Sequence, residues 1–308
     1  MAWNPKYALL LAASTVITYL SGLLIVRSNE LEDEQKRIFQ RKLWVSLSFS
    51  SSLLILFFFK YFDFAVENVN QIFSRIGIQT ISPAFDVLLP VGISFFTFQA
   101  LSYTMDVYRG EIFAERNLAK YGLFVSFFPL LIAGPIERSK NLLVQVHEKH
   151  DFDYDNAKNG LLLMLWGYFQ KIVVADNAAV VVNSIYNNYW EYSGALIAVA
   201  TFLFAIQIYC DFSGYSDIAK GAAQTMGFRA VSNFKQPYFA TSIQDFWRRW
   251  HISLSTWFRD YLYIPLGGSR CSTLKRYRNI MVTFLVSGFW HGASWNFLVW
   301  GGCTVHTK

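Results

Sequence analysis

Charge is scarce in this chain. Asp, Glu, Lys and Arg make up 16% of its 308 residues, against roughly 25% in an ordinary soluble domain. Hydrophobic residues reach 54% and aromatic ones 18%, with 29 Phe and 10 Trp. A dispersed soluble globule of that composition would expose too much apolar surface, so that class is excluded. Cysteine is also rare. Cys210, Cys271 and Cys303 have no paired spacing, so neither a disulfide framework nor a metal site is expected, and all three read as small apolar residues. There is no Asn-x-Ser/Thr acceptor, no phosphate-binding glycine loop, no GxGxxG and no serine-nucleophile motif. No bound cofactor and no nucleic-acid partner are therefore expected.

What is abundant is long apolar sequence. Segments 7–26, 43–64, 85–105, 160–182, 194–212 and 280–302 approach the ~20 residues that cross a hydrocarbon core of about 30 Å. The expected fold class is all-α: a polytopic integral membrane protein forming a single domain over 1–308. One lysine precedes segment 7–26 and five basic residues follow it, the reverse of a cleavable signal peptide, so it reads as a permanent helix. A further apolar stretch, 121–136 ("YGLFVSFFPLLIAGPI"), is short and broken by Pro129, Gly134 and Pro135. It is expected to enter and leave on one face as a re-entrant segment.

Loop charges support that arrangement. Stretch 27–42 carries five basic residues, 65–84 only Arg75, and 106–120 Arg109, Arg116 and Lys120. Stretch 137–159 carries four, 183–193 none, and 228–279 nine. Basic and non-basic loops alternate only if 121–136 does not span, which places the N-terminus outside and the nine-charge stretch in the cytoplasm. Lys60 and Asp63, near the end of their segment, read as side chains snorkelling to the interface. For Lys171 and Asp176, five residues apart in mid-segment, a cavity-facing or paired role and a bland one both stay open.

Two histidine segments stand out. In "DFWRRWHISLSTWFRDYLYIPLGGSR", 245–270, Phe246, Trp250, Leu254, Trp257 and Tyr261 recur at helical spacing. The segment is too charged to span and reads as one interfacial amphipathic helix. It would present Arg248 and Arg259 on one face, with His251 beside the apolar stripe. Taken alone, His251 fits a structural histidine. In "SGFWHGASWNFLVWGG", 287–302, His291 lies deep within an apolar span, where an ionisable group marks a functional site. Gly288, Gly292, Ala293 and Ser294 around it would leave room for a substrate chain. A neutral imidazole is well suited to act as general base on a hydroxyl attacking a thioester.

These segments, with "NFKQPYFATSIQ" before the first, "YCDFSGYSDIAKGAAQTMGF" at 209–228 and "FFPLLIAGPIERSK" at 127–140, resemble the membrane-bound O-acyltransferases, in particular their alginate O-acetylation branch. The likeness covers about 85–302. It implies helices around a buried tunnel, a catalytic His291 and an assisting His251. Arg248, Arg259, Trp247 and Trp290 are the candidate contacts of the acyl donor, acetyl-CoA or an acyl carrier protein thioester. The resemblance further implies the inner membrane of a bacterium and an extracytoplasmic partner protein that completes polysaccharide acetylation. The teichoic acid D-alanylation branch shares the "FWRRWH"-type helix and is the nearest alternative. A transporter of acyl or glycan carriers would reuse the cavity without chemistry, but such proteins carry matched broken helices, and 121–136 has no counterpart. A non-catalytic scaffold is the third reading. Family members usually continue with several helices beyond the second histidine motif, whereas "GGCTVHTK" does not resemble them, so the chain reads as either a fragment truncated at its C-terminal end or a diverged gene end.

Overall fold

A computed structural model describes residues 6–82 and 90–305. Among them there is no strand. Helices α1 (Lys6–Arg27), α2 (Glu34–Arg75), α3 (Ile93–Arg109), α4 (Leu118–Val125) and the single turn α5 (Val144–Val146) form the first half. Then come α6 (Tyr154–Tyr168), α7 (Asp176–Asn187), α8 (Gly194–Thr225), α9 (Ile243–Arg249), α10 (Ile252–Phe258), α11 (Thr273–His291) and α12 (Trp295–Val305). Among the described residues, three stretches are long and apolar enough to cross a membrane: Tyr7–Glu30, Glu34–Arg75 and Gly194–Thr225. They contain the expected segments 7–26, 43–64 and 194–212. The start of segment 85–105 lies outside the described residues, and its remainder falls in α3.

Local chemistry sets the helix starts. Asp33 accepts from the amides of Gln35 and Lys36 at 2.9 and 3.1 Å, Asn117 from those of Ala119 and Lys120, and Asp153 from that of Asn156. Each satisfies first-turn donors that have no partner within their own helix. Helix α4, at 8 residues, is far short of the ~20 needed to cross, and turns follow it through 127–134.

Segment 160–182 lies on α6, a π-turn at Phe169–Ala175 and α7. This run packs on α8 through glycines. A Cβ on Gly160 would sit 2.7 Å from the Gly221 carbonyl oxygen, and one on Gly167 would sit 2.6 Å from that of Gly214. Small residues thus bring the backbones together, as interfaces in lipid require. The π-turn directs Gln170 and Lys171 at α8. Lys171 pairs with Asp176 at 2.6 Å and with Asp211 at 2.7 Å, while Gln170 donates to Asp217 at 2.9 Å and accepts from Ser213. Of the roles left open for Lys171 and Asp176, the structure shows pairing.

Two expected helices are broken. Segment 245–263 is not continuous: α9 ends at Arg249, His251 takes a left-handed φ of 43°, and α10 starts at Ile252. Segment 280–302 is not one span either. Helix α11 ends at His291, Gly292 is extended, and α12 folds back on α11. Gly288 lies against the Phe297 carbonyl and Gly301, while a Cβ on Gly301 would stand 2.5 Å from the Phe284 carbonyl oxygen.

Candidate functional site

The break at Trp250–His251 is imposed by a strand-like segment packed beside it. Asn233, 2% exposed, takes the Ile252 amide on its carbonyl at 2.9 Å and the Ser253 hydroxyl on its side chain at 2.6 Å. Ser253 in turn accepts the Ile136 amide at 3.0 Å, and Asn233 donates to Ser216 on α8 at 3.1 Å. The Arg249 carbonyl accepts from Lys235 at 3.0 Å. With the amides of the turn spoken for, His251 is held in a conformation costly for a residue with a Cβ. Its ring is 4% exposed, edge-on to Phe212 at 4.6 Å. Burial, with His291 nearby, holds this imidazole well below the usual histidine range and so keeps it neutral.

His291 closes α11. Its ring centre lies 6.4 Å from that of His251, at 89°. Its Nδ1 is 2.7 Å from the Ser287 carbonyl oxygen. A carbonyl only accepts, so in the neutral imidazole the proton resides on Nδ1 and Nε2 keeps its lone pair. Trp290, 5.1 Å from His291 and 6.2 Å from His251, closes the third side. Two buried atoms here, His251 Nε2 and Trp290 Nε1, have no hydrogen-bond partner among the described residues. Unpaired buried polar atoms are rare enough to require a reason, and here two of them belong to rings centred 6.4 and 5.1 Å from that of His291.

The structure sorts the remaining candidates. Trp247 belongs to the site's aromatic wall: it meets Phe284 at 5.4 Å and Trp300 at 6.4 Å, and Trp300 lies 5.3 Å from His291. Arg248 and Arg259 do not share a helix face, because the break separates them. Arg259 also bonds Asp260 at 2.7 and 3.3 Å, and Asp260 holds Arg138 at 3.1 Å as well. The space expected beside Gly288 and Gly292 is filled by α12, through the Phe297 backbone and ring respectively. The apolar stripe is split too: Leu254, Trp257 and Tyr261 pack with Phe98 and Trp290, whereas Phe246 and Trp250 stack on each other and lie near Tyr238.

Residues 112–306 match the model of the membrane-bound O-acyltransferase family. The chain is 43% identical over 302 residues to the probable alginate O-acetylase AlgI of Pseudomonas aeruginosa, covering 97% of this chain and 56% of that one. It is 41% identical over 307 residues to its counterpart from Azotobacter vinelandii, covering 97% and 58%. It is 37% identical over 325 residues to the peptidoglycan O-acetyltransferase of Helicobacter pylori, covering 97% and 59%. The chain belongs to the membrane-bound O-acyltransferase family. It spans a little over half the length of these relatives.

Within the family match lie both histidines, Trp290 and Asn233, but not Lys60. That lysine does not snorkel. Its ammonium reaches inward from α2 to donate to the Trp290 carbonyl and, at 3.1 Å, to Ser94, and it lies 5.1 Å over the Trp290 ring. Asn233 and Lys60 are the two site residues that motif reading misses. Asn233 sits in the quoted "NFKQPYF", yet nothing in its spacing marks it as a clamp. For Lys60 the available signal was a charge inside a long apolar window.

Proposed function

We propose that this protein is an O-acyltransferase of the bacterial cytoplasmic membrane that moves acetyl from a cytoplasmic thioester toward an extracytoplasmic polysaccharide, with His291 as general base. The observation that carries the reading is the His291 tautomer. With Nδ1 donating to Ser287, Nε2 keeps its lone pair, and the buried His251 Nε2 and Trp290 Nε1 on the two neighbouring rings are polar atoms that an acceptor and a developing oxyanion would satisfy. The acceptor oxygen attacks the thioester carbonyl carbon as its proton passes to Nε2. The tetrahedral oxyanion collapses, the carbon–sulfur bond breaks, and the proton returns from His291 to the departing thiolate. Trp290 Nε1–H, a donor only, suits the oxyanion, and His251, kept neutral, orients the acceptor. Among the described residues, no group of three or more His, Cys, Asp or Glu side chains is placed to hold a metal ion.

The relatives' names support acetyl as the acyl group. They include both an alginate and a peptidoglycan enzyme, so a secreted or wall glycan is the acceptor class, reached through a partner protein outside the membrane. The test is transfer of labelled acetyl by the full-length protein in vesicles, offered acetyl-CoA or an acetylated carrier protein. Absence of transfer from both thioesters to any acceptor, in vesicles that hold the folded protein, overturns the reading. In the same assay, changing Arg248 and Arg259 together to Gln should raise the donor KM more than it lowers kcat, as loss of uniform binding does. Changing Lys275 and Arg276 to Gln should leave that KM alone. Unchanged kinetics in the first pair removes both arginines from the donor site.

Orientation follows from the loop charges, with the N-terminus outside and 121–136 re-entrant. Reporters at residues 35, 115, 150 and 240 should then mark the cytoplasm and one at 188 the exterior. Labelling of position 150 from outside would convert 121–136 into a span and reverse everything after it.

A further inference from the structure

We infer that Lys60 is a positioning residue for His291, acting as a cap supplied by α2 to the last turn of α11; this rests on the reading of His291 as the base. The final four carbonyls of any helix lack partners within it. In α11 those belong to Gly288, Phe289, Trp290 and His291, the turn that carries the imidazole. Two consecutive residues of α2 take two of them. Tyr61 donates to the Phe289 carbonyl at 2.7 Å, and Lys60 donates to that of Trp290. The Tyr61 and Phe289 rings stack at 4.1 Å and 16°, so the contact is fixed in direction as well as in distance. Ser94 on α3 holds the ammonium from a third helix at 3.1 Å.

The charge has a physical reason to be here. The C-terminus of a helix carries partial negative charge, and a cation placed on it is stabilised. A lysine in an apolar segment is otherwise costly and persists where protein groups solvate it. Here those groups are a helix end, a hydroxyl and the face of Trp290, at 5.1 Å. The carbonyl that Lys60 takes belongs to the residue before His291, so the cap fixes both Trp290 and the residue after it. Asp63, three residues further along α2, is exposed and serves as the control.

The experiment measures acetyl transfer by the full-length protein with Lys60→Met, Lys60→Arg, Tyr61→Phe and Asp63→Asn, each alone and with His291→Gln. Lys60→Met should lower kcat by roughly 10²-fold, the loss expected when a catalytic group is misplaced by about 1 Å, with donor KM little changed. Lys60→Arg, which keeps the charge and the donors, should recover most of it, and Asp63→Asn should match wild type. On the His291→Gln background, Lys60→Met should cost nothing further, because the cap acts through that imidazole. Tyr61→Phe keeps the ring stack and loses one hydrogen bond. It should show a smaller loss with the same dependence on His291, and it carries the test if Lys60→Met fails to insert. Lys60→Met at the wild-type rate beside an inactive His291→Gln overturns the positioning role alone, as does an equal loss on both backgrounds. A near-wild-type His291→Gln is a different outcome and overturns the base reading itself.

Discussion

Replacing His291 by Gln is expected to slow acyl transfer by roughly 10²–10⁴-fold, the usual contribution of a general base, equivalent to about 3–5 kcal/mol of barrier. Glutamine approximates the bulk and polarity of the imidazole, and its side-chain amide can still donate to the Ser287 carbonyl. It has no nitrogen that takes up a proton at neutral pH. The comparison therefore isolates the proton transfer from the packing against Trp290 and Trp300, which a change to Ala would disturb as well. His291→Ala should be at least as slow. His251→Gln should retain more activity than either, since the buried, neutral His251 orients rather than accepts. The measurement is transfer rate at saturating donor, with expression and thermal stability matched. A His291→Gln protein working near the wild-type rate would remove the base and leave the tautomer without a function.

The second large effect is expected at a glycine that no catalytic motif would nominate. A methyl group on Gly301 would press on the backbone of Phe284 at 2.5 Å and on the Leu285 Cα at 3.3 Å; on Gly302 it would meet only the end of the Leu285 side chain, at 3.8 Å. Backbone cannot rotate out of the way, so Gly301→Ala must push α12 off α11. Overpacking of this kind costs about 1–3 kcal/mol of stability. His291 ends α11 next to the Gly292 turn into α12, and a shift of the imidazole near 1 Å is worth about 10²-fold in rate. Gly288→Ala, which meets the Phe297 backbone from the opposite side, should behave the same way. Gly302→Ala, one residue along, should keep wild-type rate and melting temperature, with a small gain from helix propensity. Equal melting temperatures for Gly301→Ala and Gly302→Ala would show that the two helices are not held by this contact.

Several features of the site could be read directly from residue order. The structure brings both histidines, Trp290 and Trp247 into one aromatic cluster, and it selects pairing for Lys171 and Asp176, which two opposite charges five residues apart had left as one reading among others. The bend at His251 was not legible. The spacing of Phe246, Trp250, Leu254, Trp257 and Tyr261 satisfies one continuous helix, and helical periodicity registers side chains, not amides. The competitor for the Ile252 amide is the carbonyl of Asn233, which is 19 residues away in sequence and absent from any local window. Arg248 and Arg259 were placed on one face for the same reason.

The chain's own composition determined that it is helical and apolar, that 121–136 is too short and too interrupted to form a crossing helix, and that an imidazole lies within an apolar run near the C-terminal end. Each follows from terms that act locally: the cost of unpaired backbone in hydrocarbon, the conformational restriction of Pro and the rarity of ionisable groups in such segments. Tertiary structure alone decided that 280–302 turns back at Gly292 and that His291 is the last residue of a helix instead of sitting mid-span. It also decided that Lys60 points inward. Hydropathy measures how apolar a stretch is and carries no information about its direction. The reversal depends on Gly288 and Gly301 meeting backbone across the turn. The lysine's orientation depends on a helix end 230 residues further along the chain, whose unpaired carbonyls solvate the ammonium better than apolar surroundings do.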